Sequence, residues 1–289
     1  MRFTVVSLAL AVLLVPAAAF GQITDEPALA RSMAMGGAQR ALGSSNETLQ
    51  WNPAGIALRK RYEVDAQYLH AKRDAVNAFN FSIVDSNTGP VAGGVNYTYT
   101  KSGPRDAGLH RLGVAFGIQL SESLAVGISG RHVFGGYTLS GAPETQPKLW
   151  AGDVGLLARI SDHLQLGASA RNLIRDERSE LTRRDIGAGI AYVDESFTVT
   201  AEADWDLEDK KRANAYRLGA EYIAGGSFPL RIGYAHQPFI DNDRQDGDES
   251  VLGGGVGMLV GSGSINAGYQ QSLSRDGIWK MAFAFTLGF

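Results

Sequence analysis

The sequence predicts an all-β fold, an antiparallel outer-membrane β-barrel of about fourteen strands with a short N-terminal helical and turn segment as a plug. Three observations predict it. From Tyr62 onward, apolar residues alternate with small or polar ones in window after window. The first residues have the layout of an export signal. No later stretch approaches the ~20 consecutive apolar residues of a membrane helix, so an exported chain that enters a membrane must cross with strands.

Composition narrows the classes further. The chain has 289 residues with 36 Gly, 9 Pro and no Cys. Zero Cys excludes a disulfide scaffold, a Cys-ligated zinc or iron–sulfur site, a thiol nucleophile and a lipidated N-terminal Cys. Lys+Arg total 27 against 30 Asp+Glu, a net charge of -3, without the basic stripe of a nucleic-acid binder. Glycine exceeds the usual ~7% without any collagen period, which suits strands that bend and pack closely.

Residues 1–21 read as a signal peptide. Arg2 supplies a positive start, Phe3 to Val15 is almost wholly apolar, and Pro16 breaks the run. Small residues follow, so cleavage falls after Ala19 or Gly21.

Residues 22–58 form the expected plug. Pro27 to Leu42 carries Ala, Leu and Met at helix-like spacing, interrupted by Gly36 and Gly37, a natural hinge. Asn46 to Leu58 holds Trp51 and the turn-forming pair Asn52 and Pro53. The segment is too short to bury a core alone. Met33, Met35 and Trp51 are expected to pack together, either as plug core or as a waiting site for an apolar ligand, since soft Met and flat aromatic surfaces tolerate varied alkyl chains.

Residues 59–289 form the barrel. The alternation gives strands at 62–72, 75–84, 91–100, 109–120, 124–135, 153–160, 164–174, 185–193, 197–207, 216–224, 229–238, 251–260, 264–272 and 278–289. Leu112, Val114, Phe116, Ile118 and Leu120 share one face, with Gly113, Ala115, Gly117 and Gln119 opposite. In the last run Trp279, Met281, Phe283, Phe285, Leu287 and Phe289 share a face. Tight turns at 121–123, 161–163, 194–196 and 261–263 alternate with longer polar segments, as the two rims of such a barrel require.

A soluble barrel would turn its apolar face inward and clothe the other in Lys and Glu. Here the second face is mostly Gly, Ala, Ser and Thr with scattered charges, which suits a filled lumen. Tyr97, Tyr99, Tyr192, Tyr222, Tyr234, Trp205, Tyr269 and Trp279 gather near the strand ends of the apolar face, as interfacial girdles do. The face assignment sends Glu63, Asp65, Arg111, Arg131, Arg159, Arg171, Glu202, Asp204, Arg217, Glu221 and Arg231 to the lumen. They read either as a selectivity lining for a polar solute or as a salt network bracing barrel and plug, and their mixed signs favour the network. The inward glycines leave room for residues 23–58 or for a ligand.

No residue set calls for catalysis, a cofactor or a metal. His70, His110, His132, His163 and His236 are scattered, and Ser129 lies on the face opposite His132. Asp241, Asp243, Asp246, Asp248 and Glu249 form an acidic loop whose Gly247 is misplaced for an EF-hand, so a solvated loop is expected.

Two features carry a family resemblance. The chain ends in Phe289 after alternating aromatics, which resembles the signature that outer-membrane barrels present to their assembly machinery. The runs Ala30-Arg31-Ser32-Met33-Ala34-Met35-Gly36-Gly37-Ala38 and Trp51-Asn52-Pro53-Ala54-Gly55 resemble the opening of the FadL-type outer-membrane transporter superfamily, especially its PorV/PorQ-like branch. The resemblance implies a plug-like N-terminal region and a barrel of the strand number already read from periodicity. It implies passage of hydrophobic, fatty-acid-like small molecules by diffusion. The alternative it implies is a PorV-like non-enzymatic barrel that assists protein secretion or cell-surface attachment. The implied partners are outer-membrane lipid, the assembly machinery acting on the C-terminal strand, and a hydrophobic ligand or a secreted protein. The chain departs from the family's fatty acid transporters in being shorter, with short charged loops in place of extensive hydrophobic ones.

Overall fold

The computed structural model describes residues 29–72, 75–101, 108–136, 146–177, 179–208, 214–240 and 246–289. The signal peptide 1–21, residues 22–28 of the plug and residues 241–245 of the acidic loop lie outside the described residues.

Fourteen strands form one closed antiparallel barrel in which each pairs with the next and the last with the first. They are β1 (Tyr62–Ala71), β2 (Val76–Asp85), β3 (Val91–Lys101), β4 (Gly108–Ser121), β5 (Leu124–Gly135), β6 (Lys148–Arg159) and β7 (Leu164–Arg175). The second half comprises β8 (Asp185–Val193), β9 (Phe197–Asp206), β10 (Ala215–Ala224), β11 (Phe228–Ile240), β12 (Asp246–Val260), β13 (Gly263–Ser272) and β14 (Trp279–Gly288). Closure leaves no sheet edge with unpaired amides, the condition for placing a sheet in lipid. The seam runs from Glu63 opposite Gly288 to Ala71 opposite Lys280. Because the count is even, both ends of the barrel chain reach one rim, where the rings of Tyr62 and Phe289 meet edge-on at 5.7 Å.

The period-two pattern sorts the side chains as expected. Phe79, Phe81, Val114, Phe116, Ile128, Leu156, Ile190, Leu218, Ile232, Val256, Phe283 and Phe285 are all exposed on the outside. An apolar surface that encircles the molecule is tolerable only against lipid. Inside lie Ala, Gly, Ser, Thr, Asn and the charged residues, most of them buried. Aromatics flank the band. At the rim opposite the termini, His132 stacks on Trp150 at 4.1 Å and on Phe134 at 5.1 Å, and His110 stacks on Phe134 at 5.0 Å. The strand histidines there thus belong to an interfacial girdle.

Most strand ends agree with the sequence reading within about one residue, and two regions differ by more. The sixth strand begins at Lys148, not 153. Its first inward residues, Leu149 and Ala151, are apolar, so both faces look greasy and alternation does not reveal the strand. A register irregularity at Asp153 then lets one residue of β6 oppose three of β7, and Asn172 takes a left-handed φ of 53° there. The β11–β12 hairpin also extends beyond the apolar band, with Ile240 opposite Asp246. Ladder hydrogen bonds require only backbone, so strands continue where side-chain polarity suggested a loop.

Residues 29–58 occupy the lumen. They comprise α1 (Ala30–Ala34), α2 (Thr48–Trp51) and a 3₁₀ turn over Pro53–Ile56. Leu49, Ala54, Ile56, Ala57 and Leu58 pack on the inward Val84, Ala92, Ala115, Ala125 and Leu157. That contact is the main apolar core, and it sits between plug and wall.

Candidate functional site

The site is the plugged lumen. Inward glycines let plug backbone lie directly on the wall. A Cβ at Gly219 would stand 2.7 Å from the Met35 carbonyl oxygen, and Cβ atoms at Gly233, Gly253 and Gly268 would collide with backbone of Gly36, Met33 and Ala30. On the other side of the lumen, Gly167 faces Arg40 backbone and Gly155 faces the Asn52 side chain.

Gly36 and Gly37 stop α1. The Gly37 amide donates to the Ser32 carbonyl at 2.7 Å and the Gly36 amide to the Met33 carbonyl at 3.3 Å, with φ of 65° at Gly36 and 84° at Gly37. This is a Schellman cap, which needs a left-handed residue and so selects glycine. A Cβ at Gly36 would also stand 2.6 Å from the Tyr234 carbonyl oxygen. At the other end of α1, the Glu47 carboxylate accepts from the Arg31 and Ser32 amides at 3.1 and 2.8 Å, serving as the cap that Leu29 lacks. Burial pushes the Glu47 carboxyl up to about 7, with Asp65 adding to the rise and Arg31 opposing it.

Asn52 and Pro53 build the next joint. The Asn52 side chain donates to the Arg40 carbonyl at 2.7 Å and the Leu156 carbonyl at 2.9 Å, and accepts from the Ala54 amide at 3.2 Å. One amide thus ties two plug segments to β6, while Pro53 starts the 3₁₀ turn at a position that tolerates a missing N–H.

Three polar clusters line the lumen, two fastening plug to wall and the third bracing neighbouring strands. In the first, Glu202 accepts from the Gln39 amide, the Arg40 amide and Arg40 Nε, each at 2.9 Å. Arg40, fully buried, also pairs with Asp185 at 3.0 Å and with Asp204. Arg217 joins Asp204 and Glu202, and Arg171 grips Asp185 at 2.7 Å. In the second cluster Glu221 takes Arg31 at 2.9 Å and Arg231 at 2.5 Å. In the third, Asp153 holds Arg131 at 2.9 Å, the Ser129 hydroxyl at 2.9 Å and the Asn172 amide at 2.7 Å. Each predicted lumen charge is on the inner face. Arg171, Glu202, Asp204 and Arg217 are drawn into one network, and Glu221 and Arg231 into another. Arg159 stands apart at the rim that bears the termini, near Arg59.

Met33, Met35 and Trp51 are not brought together in one packing group. Met33 packs with Ala30, Ala282 and Ala284, and Met35 with Ala41, Leu42 and Ala191. The Trp51 ring instead carries the guanidinium groups of Arg171 and Arg217, at 5.4 and 5.3 Å from its centroid. The reason is direction: α1 and its C-cap send Met33 and Met35 toward different strands, while the end of α2 presents Trp51 to the side of the plug that faces Arg171 and Arg217.

On that side lies a small chamber of about 40 Å³ lined by Leu49, Gln50, Trp51, Asn96, Thr98, Arg111, Gly113, Val114, Ser129, Gly130, Arg131, Asp153 and Arg171. Beyond it, toward the rim away from the termini, the inner face turns apolar. On the neighbouring strands β4, β5 and β6, Leu109, Val133 and Leu149 form a buried partial collar packed against Leu181, from the 3₁₀ turn Glu180–Thr182.

Sequence reasoning missed Arg31, Arg40, Glu47, Asp153, Asp185 and the collar. Arg31 and Arg40 were visible as lone cations in an otherwise apolar segment, a signal of buried partners. The acids that meet them lie 145 to 190 residues away, beyond the reach of local pattern.

The geometry defines a plugged transmembrane barrel. No family model and no curated protein matches the chain in sequence. In structure the chain is similar to the toluene transporter TodX of Pseudomonas putida, with a TM-score of 0.67 at 14% identity over 92% of this chain and 98% of that one. It is similar to the toluene transporter TbuX of Ralstonia pickettii, with a TM-score of 0.63 at 14% identity over 90% and 98%. A FadL homologue from Pseudomonas aeruginosa gives 0.59 at 11% identity over 90% and 97%. The chain thus shares the FadL-type barrel fold.

Proposed function

We propose that this barrel sits in an outer membrane and lets small hydrophobic molecules pass by diffusion, with residues 29–58 as a displaceable plug. The observation that carries the reading is the buried apolar cluster of Leu109, Val133, Leu149 and Leu181, on an inner wall that is otherwise largely small or polar, on the same strands as the chamber lined by Trp51. Apolar residues on the inner wall near that rim suit apolar solutes, where a water-filled pore would be polar throughout. Beside its apolar contact with the wall, the plug is held by ion pairs and hydrogen bonds, which water can replace when it moves, and Gly36 with Gly37 is the place where its backbone can turn. The toluene transporters of this fold point to aromatic hydrocarbons as the first solutes to test.

The test is uptake of labelled toluene and of a labelled fatty acid into vesicles whose outer leaflet is lipopolysaccharide, which slows hydrocarbons by itself. Uptake above that of protein-free vesicles supports the reading, and its absence overturns it.

The strength of the plug clamp favours one second reading, a PorV/PorQ-like barrel that stays closed and assists secretion or surface attachment of other proteins. Absent uptake together with co-purification of a secreted protein would select it.

A further inference from the structure

We propose that the cations at the mouth beside the barrel's chain ends, Arg59, Lys60, Arg61 and Arg159, dock an acidic segment of a soluble periplasmic protein. The inference rests on the outer-membrane reading, which puts that mouth in the periplasm.

Charge is the first observation. Inside the lumen the guanidinium groups of Arg31, Arg40, Arg131, Arg171, Arg217 and Arg231 each hold a carboxylate. At the mouth the pattern stops. Among the described residues, neither Arg59 nor Arg159 is paired with a carboxylate. The charges that bear on Arg59 are those of Arg159 and Arg31, both of its own sign. Glu63, beside Arg61, offsets the group only in part. Like charges gathered in this way repel, and an anion that joins them relieves the repulsion.

The group is also held in place. Ser86, buried in the turn between β2 and β3, accepts from the Arg61 amide at 2.9 Å and donates its hydroxyl to the Arg59 carbonyl at 2.6 Å. Its amide donates to the Arg61 carbonyl at 2.9 Å. Lys60 Nζ donates to the Gly89 carbonyl at 3.0 Å, and the Arg61 guanidinium to the carbonyls of Gly43 and Ser45 at 2.7 and 3.0 Å. Carbonyls satisfy donors without cancelling charge, so the positive field stays while Arg59 and Arg159 remain open to a partner. Arg159 lies on the inner face of β6, one inward position beyond Leu157, whose side chain reaches Gly43 of the plug.

Placement selects the occupant. The neighbours of Arg159 on the opposite face are Ala158 and Ile160, both uncharged, so these cations address the mouth and not the lipid headgroups around it. With Lys60 and Arg61 already on carbonyls, the cluster offers a diffuse field and no closed cradle. That suits several carboxylates along a chain better than one small anion. Glu122, Asp162, Asp194 and Glu195 stand exposed on turns of the same rim. They repel a broad acidic surface, while a narrow extended segment can pass between them to the cations. A hydrocarbon leaving the plug on this side enters water, which receives it poorly; a soluble protein docked at the exit can take it up.

The experiment is fluorescence anisotropy of a labelled peptide of eight aspartates with the full chain in nonionic detergent at low salt. The chain as a whole is negative, at -3, so capture of a polyanion requires a local site. The aspartate peptide is expected to bind and a peptide of eight lysines not to bind. The double variant Arg59→Gln, Arg159→Gln is expected to bind the aspartate peptide about tenfold more weakly. Lys148→Gln, exposed at the opposite rim, is expected to leave binding unchanged. No binding of the aspartate peptide, undiminished binding by the double variant, or an equal loss in Lys148→Gln would overturn the proposal. So would inorganic phosphate or short-chain phosphatidylglycerol competing as well as unlabelled peptide, which would assign the cations to a small anion or to lipid. Should the double variant fail to fold, judged by heat-modifiable migration on a gel, Arg159→Gln alone takes its place, with an expected loss of about threefold. Toluene uptake by the native chain in vesicles is a separate readout: if it persists while no peptide binds, the docking site falls and the diffusion reading stands.

Discussion

Glu202→Gln should loosen the plug without disturbing the barrel. Glu202 is buried on β9, and one oxygen takes the amides of Gln39 and Arg40 while the other takes Arg40 Nε, all at 2.9 Å. A glutamine keeps one acceptor and turns an NH₂ toward either two amide donors or a guanidinium. Both orientations set donor against donor. Removing one partner of a buried, hydrogen-bonded ion pair costs about 3–5 kcal/mol. Arg40 keeps Asp185 and Asp204, so the lower end, about 3 kcal/mol, applies. At ~1.4 kcal/mol per decade, that raises the displaced population of the plug about a hundredfold. The native chain has no Cys, which makes a reporter simple. Ala38→Cys places a thiol at a fully buried plug position, where a maleimide can react only after the plug moves. The expected result is labelling about a hundredfold faster in Glu202→Gln, with heat-modifiable migration unchanged. A rate within threefold of the parent would refute the claim that this cluster holds the plug.

Other outcomes follow from the same geometry. Gly36→Ala should speed Ala38→Cys labelling about tenfold, since a left-handed non-glycine residue costs roughly 1–2 kcal/mol and its Cβ meets the Tyr234 backbone; an unchanged rate would remove the cap from the account. Glu47 lies on the plug, and its carboxyl is raised to about 7 by burial. A raised acid stabilises the docked plug in its protonated form, so docking is strongest below the ordinary carboxylate range and weakens as pH rises through about 7. Labelling, corrected for thiolate reactivity with an exposed Cys control, should therefore be faster at pH 8 than at pH 5, and Glu47→Gln should flatten the difference. Phe81→Arg, on the outer face near the middle of β2, should destabilise the barrel in lipid by roughly 2–4 kcal/mol in denaturant titrations; no loss would contradict the lipid-facing assignment.

The barrel was legible because lipid outside and a packed plug inside impose opposite demands on alternate residues. Phe283 and Phe285 against Ala282 and Ala284 on β14 carry that contrast in the sequence itself. Where both faces are apolar, as at Leu149 and Trp150, the contrast disappears and the start of β6 with it. The plug was legible as a segment, from its change of period and its Gly-Gly and Asn-Pro breaks. Its contacts were not. Neither the meeting of Arg40 with Glu202 nor the separation of Met33, Met35 and Trp51 has a local signature. Both follow from how the barrel closes around residues 29–58. The collar escaped for a related reason, since Leu181 sits in a stretch read as a polar loop.

The central claim is that movement of the plug opens the lumen, and a reversible lock tests it most directly. A Cβ at Gly189 on β8 would stand 3.5 Å from the Ala41 Cβ, within the span of a disulfide. The double variant Ala41→Cys, Gly189→Cys should take up toluene when reduced, lose uptake on oxidation and regain it with reductant. Undiminished uptake in the fully oxidised protein would contradict the account.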